Sequence, residues 1–388
     1  MGSRETSSSN SGQILSSSSA MIIAGNDDIL TLILVCLPPK SLLKFKTVSK
    51  HWLSLISGPR FTPKLYSRTI LGLFARRRRR GARLKNPEYG FINLSPNPSP
   101  PPFQSLTFVD HPLGVWFLQC CNGLMLYSSV DGHGYPDKET YCIYNPTTNQ
   151  HRVLPGVQGS DDPSCDLRIL DVNLAFDPSK SSHYKVEVYS SKTGTWKLSG
   201  SPFAKPLNVA LCDGVFWNGA IHWGRNPGCR GDSICFDVEE EKFRDYPMPT
   251  FSGHIFHASH LEESGGHLYL MECTDWDTLL YDVYQMERNY SGWFLKYKVD
   301  FHPIAAAFPE MYSDIAGDIL PPYSYTIYGI IVQEEETDDD SFLVLHITNK
   351  AIRYNFKDGS FTILSDFGPR GGEYFGGAYK FIESFASV

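Results

Sequence analysis

Three groups of residues in this chain have types and spacings that could do chemistry. His254, His257 and His260 recur at intervals of three in "HIFHASH". On a helix they would share a face, as metal ligands can, but the surrounding pattern is strand and loop, and there a spacing of three alternates faces. The ligand spacings of zinc sites are not met, so ordinary loop histidines are expected and no metal or cofactor is assigned. Trp217, His222 and Trp223 in "GVFWNGAIHW" could line an aromatic pocket. The same stretch reads more simply as a hairpin turning at Asn218-Gly219 with its rings packed inside. Cys120, Tyr135 and Tyr141 are residue types of a copper-radical site, but nothing in the sequence marks their assembly. No Walker loop, H-E-x-x-H, G-x-S-x-G or dinucleotide fingerprint occurs, and no catalytic residue is assigned.

Charge is unevenly placed. The 388 residues carry a net charge of -7, yet from Lys40 to Lys85 there are fourteen Lys/Arg and no Asp or Glu. The run Arg76–Arg80 reads as a solvated basic loop, with nuclear import or phosphate binding as its functional alternatives. No aromatics interleave the arginines, so nucleic acid is not expected as a partner. The acidic "VEEEKF" and "EEETDDD" read as solvated turns. The nine cysteines are scattered without C-x-x-C, which fits free thiols and a cytoplasmic or nuclear protein. No secretory signal is evident, and no apolar run approaches the ~18 residues of a membrane span.

The elements that must position these groups change character along the chain. Residues 1–25 are Ser-rich and expected to be disordered. From Asn26 the pattern is helical. Asn26 is an N-cap, Asp27 and Asp28 suit the first turn, and Leu30, Ile33, Leu34 and Leu37 fall on one face. Pro38-Pro39 ends that helix. A second short helix follows with Leu42, Leu43 and Phe45, and a third carries Val48, Trp52, Leu55 and Ile56 until Gly58-Pro59. So few residues bury little, and need a following domain or a partner to cover their apolar faces. Residues 67–105 read as a basic and Pro-rich linker with the first strands of the next domain.

From residue 106 onward strand-length apolar runs alternate with turn residues. A strand–turn–strand unit recurs at Tyr144, Ser190, Phe236, Met286 and Tyr354, the first four starts roughly 46 to 50 residues apart. That is the period of a four-stranded propeller blade, ~40–50 residues. The expected fold of residues 106–388 is therefore an all-β propeller of about six blades, its last strand closing the ring against N-terminal strands. A β-sandwich would not need such a repeat.

The helical stretch "DDILTLILVCLPPKSLLKFKTVSKHWLSLISGPRF" (27–61) resembles the F-box of the large plant F-box protein family. Matching positions include Leu30, Ile33, Leu34, Leu37, Pro38, Leu42, Leu43, Val48, Ser49, Trp52, Pro59 and Phe61. Leu32 stands where the family is often acidic and Cys36 where it is often basic. The downstream "CNGLMLY", "YNPTTNQHRVLP" and "TGTWK" resemble the kelch-like F-box-associated propeller, although the Gly-Gly pair of a kelch repeat does not recur from unit to unit.

The resemblance implies a small all-α three-helix F-box (26–66) and a substrate-binding propeller. It implies a non-catalytic receptor subunit of a Skp–cullin–F-box ubiquitin ligase. The F-box would dock a Skp-type adaptor, and through it cullin and RING subunits, while the propeller holds an unknown target protein. Adaptor contact would fall on Leu30, Ile33, Leu34, Leu37, Pro38, Leu42, Leu43, Val48 and Trp52, some of which must instead pack the helices together. The alternative is an interaction module that binds adaptor without ubiquitin transfer; a propeller enzyme is the remaining class.

Overall fold

The structure is a computed structural model. It describes residues 22–23, 25–37, 39–58, 61, 69–79, 89–95, 101–102, 115–129, 140–154, 169–175, 185–190, 195–197, 202–204, 213–224, 233–240, 242–249, 259–273, 279–312, 323–332, 340–347, 349–367 and 373–384. Two compact units divide the chain, Met1–Ser67 and Arg68–Val388.

The first unit is helical. Helix α1 spans Asp27–Val35, α2 Pro39–Phe45 and α3 Lys50–Ile56. Asn26 caps α1, its Oδ1 accepting from the N–H groups of Asp28 and Ile29 at 3.1 Å each. This satisfies donors the first turn leaves orphaned. Ser49 caps α3 in the same way, Oγ accepting from Trp52 N–H at 3.1 Å. The second helix starts at Pro39 itself, because a proline in the first turn loses no intrahelical hydrogen bond. Helix α3 touches both α1 and α2.

The second unit is a ring of sheets. In chain order the strands are β1 (Gly72–Arg79), β2 (Tyr89–Asn93), β3 (Val115–Cys121), β4 (Leu124–Ser129), β5 (Thr140–Asn145) and β6 (Gln150–Val153). Then come β7 (Ile169–Ala175), β8 (Lys185–Ser190), β9 (Thr195–Lys197), β10 (Pro202–Ala204), β11 (Val215–Trp217), β12 (Ala220–Trp223), β13 (Ser233–Asp237) and β14 (Lys242–Tyr246). The rest are β15 (Ser259–Ser264), β16 (His267–Cys273), β17 (Leu280–Met286), β18 (Trp293–Asp300), β19 (Tyr325–Ile331), β20 (Phe342–Ile347), β21 (Lys350–Asn355), β22 (Phe361–Asp366) and β23 (Glu373–Phe381). Between β18 and β19 a short helix α4 (His302–Ala307) buries Ile304 in the core.

Strands β3 to β22 form five antiparallel four-stranded meanders, each with its first strand innermost. The expected count of about six blades is corrected to five full blades. The sixth sheet has three strands, in the order β2-β1-β23. It joins both ends of the domain, with Gly72 opposite Phe381 and Ala75 opposite Ala378, as the sequence led one to expect of the last strand. The first strands touch in the cycle β3, β7, β11, β15, β19, β23 and back to β3, although β7 reaches its later neighbour through β12.

Two further expectations need correction. The arginine run is not a loop as far as Arg79, because Arg76–Arg79 complete β1, and Arg77, Arg78 and Arg79 stand in register with Phe375, Tyr374 and Glu373. A like-charge run argues for a loop only when it has no partner strand, and here β23 arrives from the far end of the chain. The repeat also slips phase once. The copies at Tyr144, Phe236, Met286 and Tyr354 join third to fourth strands, but that at Ser190 joins the second, β8, to the third, β9.

The inner strands run in one direction, so the ring has a starting end and a finishing end. At the finishing end, first and second strands are joined by tight turns at Asn122-Gly123, Asn218-Gly219 and Gly265-Gly266. Both residues of each turn have positive φ, the geometry that a right-twisted hairpin favours. Hydrogen bonds lace these turns to their neighbours. Trp217 Nε1–H donates to Gly266 O at 2.8 Å, and the Asn218 side-chain amide donates to Arg288 O at 3.2 Å. Val332 N–H donates to Ser264 Oγ at 3.0 Å, and the Asn145 amide donates to Ser384 O at 2.9 Å. A Cβ on Gly123 would lie 2.4 Å from Ser384 Cβ, so this turn is closed against the C-terminal segment.

Two histidines are buried among rings. His222 stacks on Tyr290 with Nε2 3.0 Å from its hydroxyl, and His346 stacks on Tyr328. Burial lowers both to about 4. The unfolded chain binds these protons first, near pH 6.5, so stability falls as pH drops from about 6.5 toward 4. The propeller is expected to lose about 2 kcal/mol per histidine between pH 7 and pH 5. A urea midpoint that does not fall over this interval would contradict it.

Candidate functional site

The residues singled out for chemistry come first. His254 and His257 lie outside the described residues, as do Tyr135 and most of "EEETDDD". His260 is on β15 and faces the Glu262 carboxylate at 3.2 Å. Among the described residues, no group of three or more His, Cys, Asp or Glu could hold a metal ion. The "WNGAIHW" stretch is the β11–β12 hairpin. Trp217 and His222 pack with Tyr246 and Tyr290, and Trp223 with Phe236 and Phe243. Its aromatics form core, not a pocket. Cys36, Cys120, Cys121, Cys142, Cys235 and Cys273 are free thiols.

The helical unit divides its apolar residues in two. Leu30, Leu34, Leu42, Ile56 and Phe61 are buried. Ile33 is 45% exposed, Val48 60%, Ile29 40%, Leu32 66% and Leu53 46%. Leu37, Leu43, Phe45 and Trp52 are half-buried, and the Trp52 ring meets Phe45 edge-on at 5.3 Å. Pro38 lies outside the described residues. Of the nine residues named from sequence, three are therefore interior, two outward and three between.

Helix α1 thus carries two apolar stripes. Leu30 and Leu34 face inward, while Ile29, Leu32, Ile33 and Cys36 fall at i, i+3, i+4, i+7 and are exposed. That second stripe was present in the sequence but overlooked, because the first already accounted for a helix. Leu53 on α3 was also missed; it lies off the Trp52–Ile56 face. Near the outward stripe, Asp27 Oδ1 lies 3.1 Å from His51 Nε2, tying the start of α1 to α3. This stripe leaves a run of apolar side chains exposed on the helical unit.

Comparison with known proteins agrees with this division. The F-box domain family model matches residues 26–64, and the model of the F-box associated beta propeller domain matches 113–283. F-box protein At5g07610 of Arabidopsis thaliana is 34% identical over 412 residues, covering 93% of this chain and 92% of its own. F-box only protein 8 of the same plant is 27% identical over 262 residues, 58% of this chain and 80% of its own. F-box protein At5g03970 is 25% identical over 245 residues, 56% of each chain. No helix among the described residues is long and apolar enough to cross a membrane. With three short helices inside one family match, successive β meanders inside the other, and a relative 34% identical along nearly the whole of both chains, the chain belongs to the F-box proteins that carry an F-box-associated β-propeller domain.

Proposed function

We propose that this chain is the non-catalytic substrate-recognition subunit of a Skp–cullin–F-box ubiquitin-protein ligase, acting in the cytoplasm or nucleus. The helical unit docks a Skp-type adaptor, which brings cullin and RING subunits, and the propeller holds a target protein. The observation that carries this reading is the exposed apolar set Ile29, Leu32, Ile33, Val48 and Leu53 on a unit too small to leave it wet. Leu37, Leu43 and Trp52 border that set. Leu30, Leu34 and Leu42 serve by holding the helices in place. No covalent step falls to this chain. Tethering a target near a charged conjugating enzyme raises its effective concentration, and this positioning is the catalytic contribution.

The test is reconstitution. The full chain is co-expressed with a Skp-type adaptor, a cullin and a RING protein, and the captured complex is assayed for ubiquitin transfer to proteins bound by the propeller. Stable capture of all three with transfer is expected. Capture of adaptor without cullin would instead indicate an interaction module, and failure to capture adaptor would overturn the reading.

A further inference from the structure

The corner between α2 and α3 combines a fixed backbone with unopposed positive charge. It runs from Lys44, in the last turn of α2, to Lys50, the first residue of α3. Lys46 N–H donates to Leu42 O at 3.0 Å, Thr47 N–H to Lys44 O at 3.1 Å and Val48 N–H to Phe45 O at 3.1 Å. The Thr47 hydroxyl donates to the same Lys44 carbonyl at 2.7 Å. Val48, 60% exposed, stands in this corner, and Lys44 and Lys50 are exposed on either side of it along the chain. The acidic residues of α1 to α3 are Asp27 and Asp28, both at the start of α1, and Asp27 is engaged by His51. Among the described residues, no carboxylate pairs with Lys44 or Lys50. The two lysines differ in what their helices ask of them. A cation in the last turn, as Lys44 is, suits the helix dipole. Lys50 opens α3, where the dipole favours an anion, and the first turn of α3 holds no acid. A residue that works against its own helix marks a place that serves something else.

We infer that the corner of Lys44, Val48 and Lys50 receives an acidic segment of the Skp-type adaptor, whose carboxylates meet the two ammonium groups while Val48 enters an apolar site between them. This rests on the reading of the helical unit as the adaptor-docking part. Val48 belongs to the exposed apolar set of that unit, so a partner that covers it also takes water from the lysines beside it. An ammonium group stripped of water without a counter-charge opposes binding, and a carboxylate removes that penalty. The contact is made by the lysine side chains and not by the first N–H groups of α3, of which the Ser49 hydroxyl already takes that of Trp52. Charges at the border of an apolar contact act chiefly on encounter: they speed association and are screened by salt.

The test is surface plasmon resonance of the full-length chain over an immobilised, purified Skp-type adaptor. Raising salt from about 0.03 M to about 0.5 M is expected to slow association of the wild type about tenfold and to change dissociation less. A Lys44→Gln, Lys50→Gln variant is expected to associate about fivefold more slowly at low salt and to lose most of the salt dependence. A Lys44→Arg, Lys50→Arg variant, which keeps the charge, should associate as wild type. A Lys242→Gln, Lys357→Gln control removes the same charge from exposed positions of the propeller and should also associate as wild type. Lys50→Gln alone should melt at or above the wild-type temperature, because it relieves the start of α3, whereas a merely structural role would lower the midpoint. If the double variant does not fold, carbodiimide cross-linking of the wild-type complex decides. Links from Lys44 or Lys50 to adaptor carboxylates support the inference, and links confined to other lysines overturn it. Salt-independent association, or equal association of the double Gln variant, would overturn it and leave adaptor docking standing. No binding of adaptor by the wild-type chain at either salt would overturn both.

Discussion

An Ile33→Asp, Val48→Asp double variant is expected to bind a Skp-type adaptor at least about a hundredfold more weakly than wild type, with no loss of helical signal. Both side chains are largely exposed, so an aspartate at either place is solvated in the free protein. In a complex each carboxylate would be taken from water into an apolar contact, which costs several kcal/mol unless paired. Central interface side chains carry about 2 kcal/mol or more each, and two of them account for the hundredfold. The contrasting Leu34→Asp variant puts the same charge at a buried site and should unfold the helical unit. Trp52→Ala is a poorer probe, because its ring also packs on Phe45. Isothermal titration with purified adaptor, alongside circular dichroism, separates the cases. Unchanged affinity in the double variant would place the adaptor contact elsewhere.

Glu262→Gln is expected to destabilise the propeller by about 3 kcal/mol. Glu262 on β15 meets Lys380 on β23 at 2.8 Å, reaching past the intervening β19. The passage depends on Gly329, where a Cβ would stand 3.0 Å from the Glu262 carboxylate. The other carboxylate oxygen accepts from Ile330 N–H at 2.6 Å and faces His260 at 3.2 Å. Lys380 also donates to Glu263 O. One side chain thus fastens the closing strand to a blade two places away.

Burial would raise this carboxyl, but the Lys380 ammonium and then His260 outweigh it and hold it at about 2. The group is depressed on folding, so its contribution is full above pH 4.5, the ordinary value, and is lost as pH falls toward 2. Glutamine leaves the ammonium without its counter-charge, the costly way to break such a pair. The loss falls at the low end of the range for broken buried pairs because the side chains keep 13% and 15% exposure. Adding Lys380→Met should recover much of the loss, a coupling that denaturation of the four variants measures. Additive losses would show that the two groups act independently.

The helical unit was largely legible in sequence because its signals are local. The Asn26 cap and the 3.6-residue periodicity each act within one or two turns, and Asn26 forms the hydrogen bonds expected of it. Periodicity finds an inward face, however, and does not say which apolar residues stay outside. Leu30 and Ile33 look alike on paper and have opposite fates. The propeller was legible through its repeat, since each blade must cover its neighbours with the same strand–turn unit. Its closure was anticipated from apolar runs at both ends, but not its three-stranded form.

Sequence by itself determined the two-part plan, the Asn26 helix cap, the hairpin turn at Asn218-Gly219 and the family. Each of these rests on contacts between residues near in the chain or on a repeated pattern. Tertiary structure alone decided that Arg77–Arg79 form strand, that Glu262 reaches Lys380 over Gly329, and that one end of the ring is laced while the basic strand end lies at the other. Each of those depends on a partner more than a hundred residues away or on another blade, and local propensity carries no information about which distant strand will arrive.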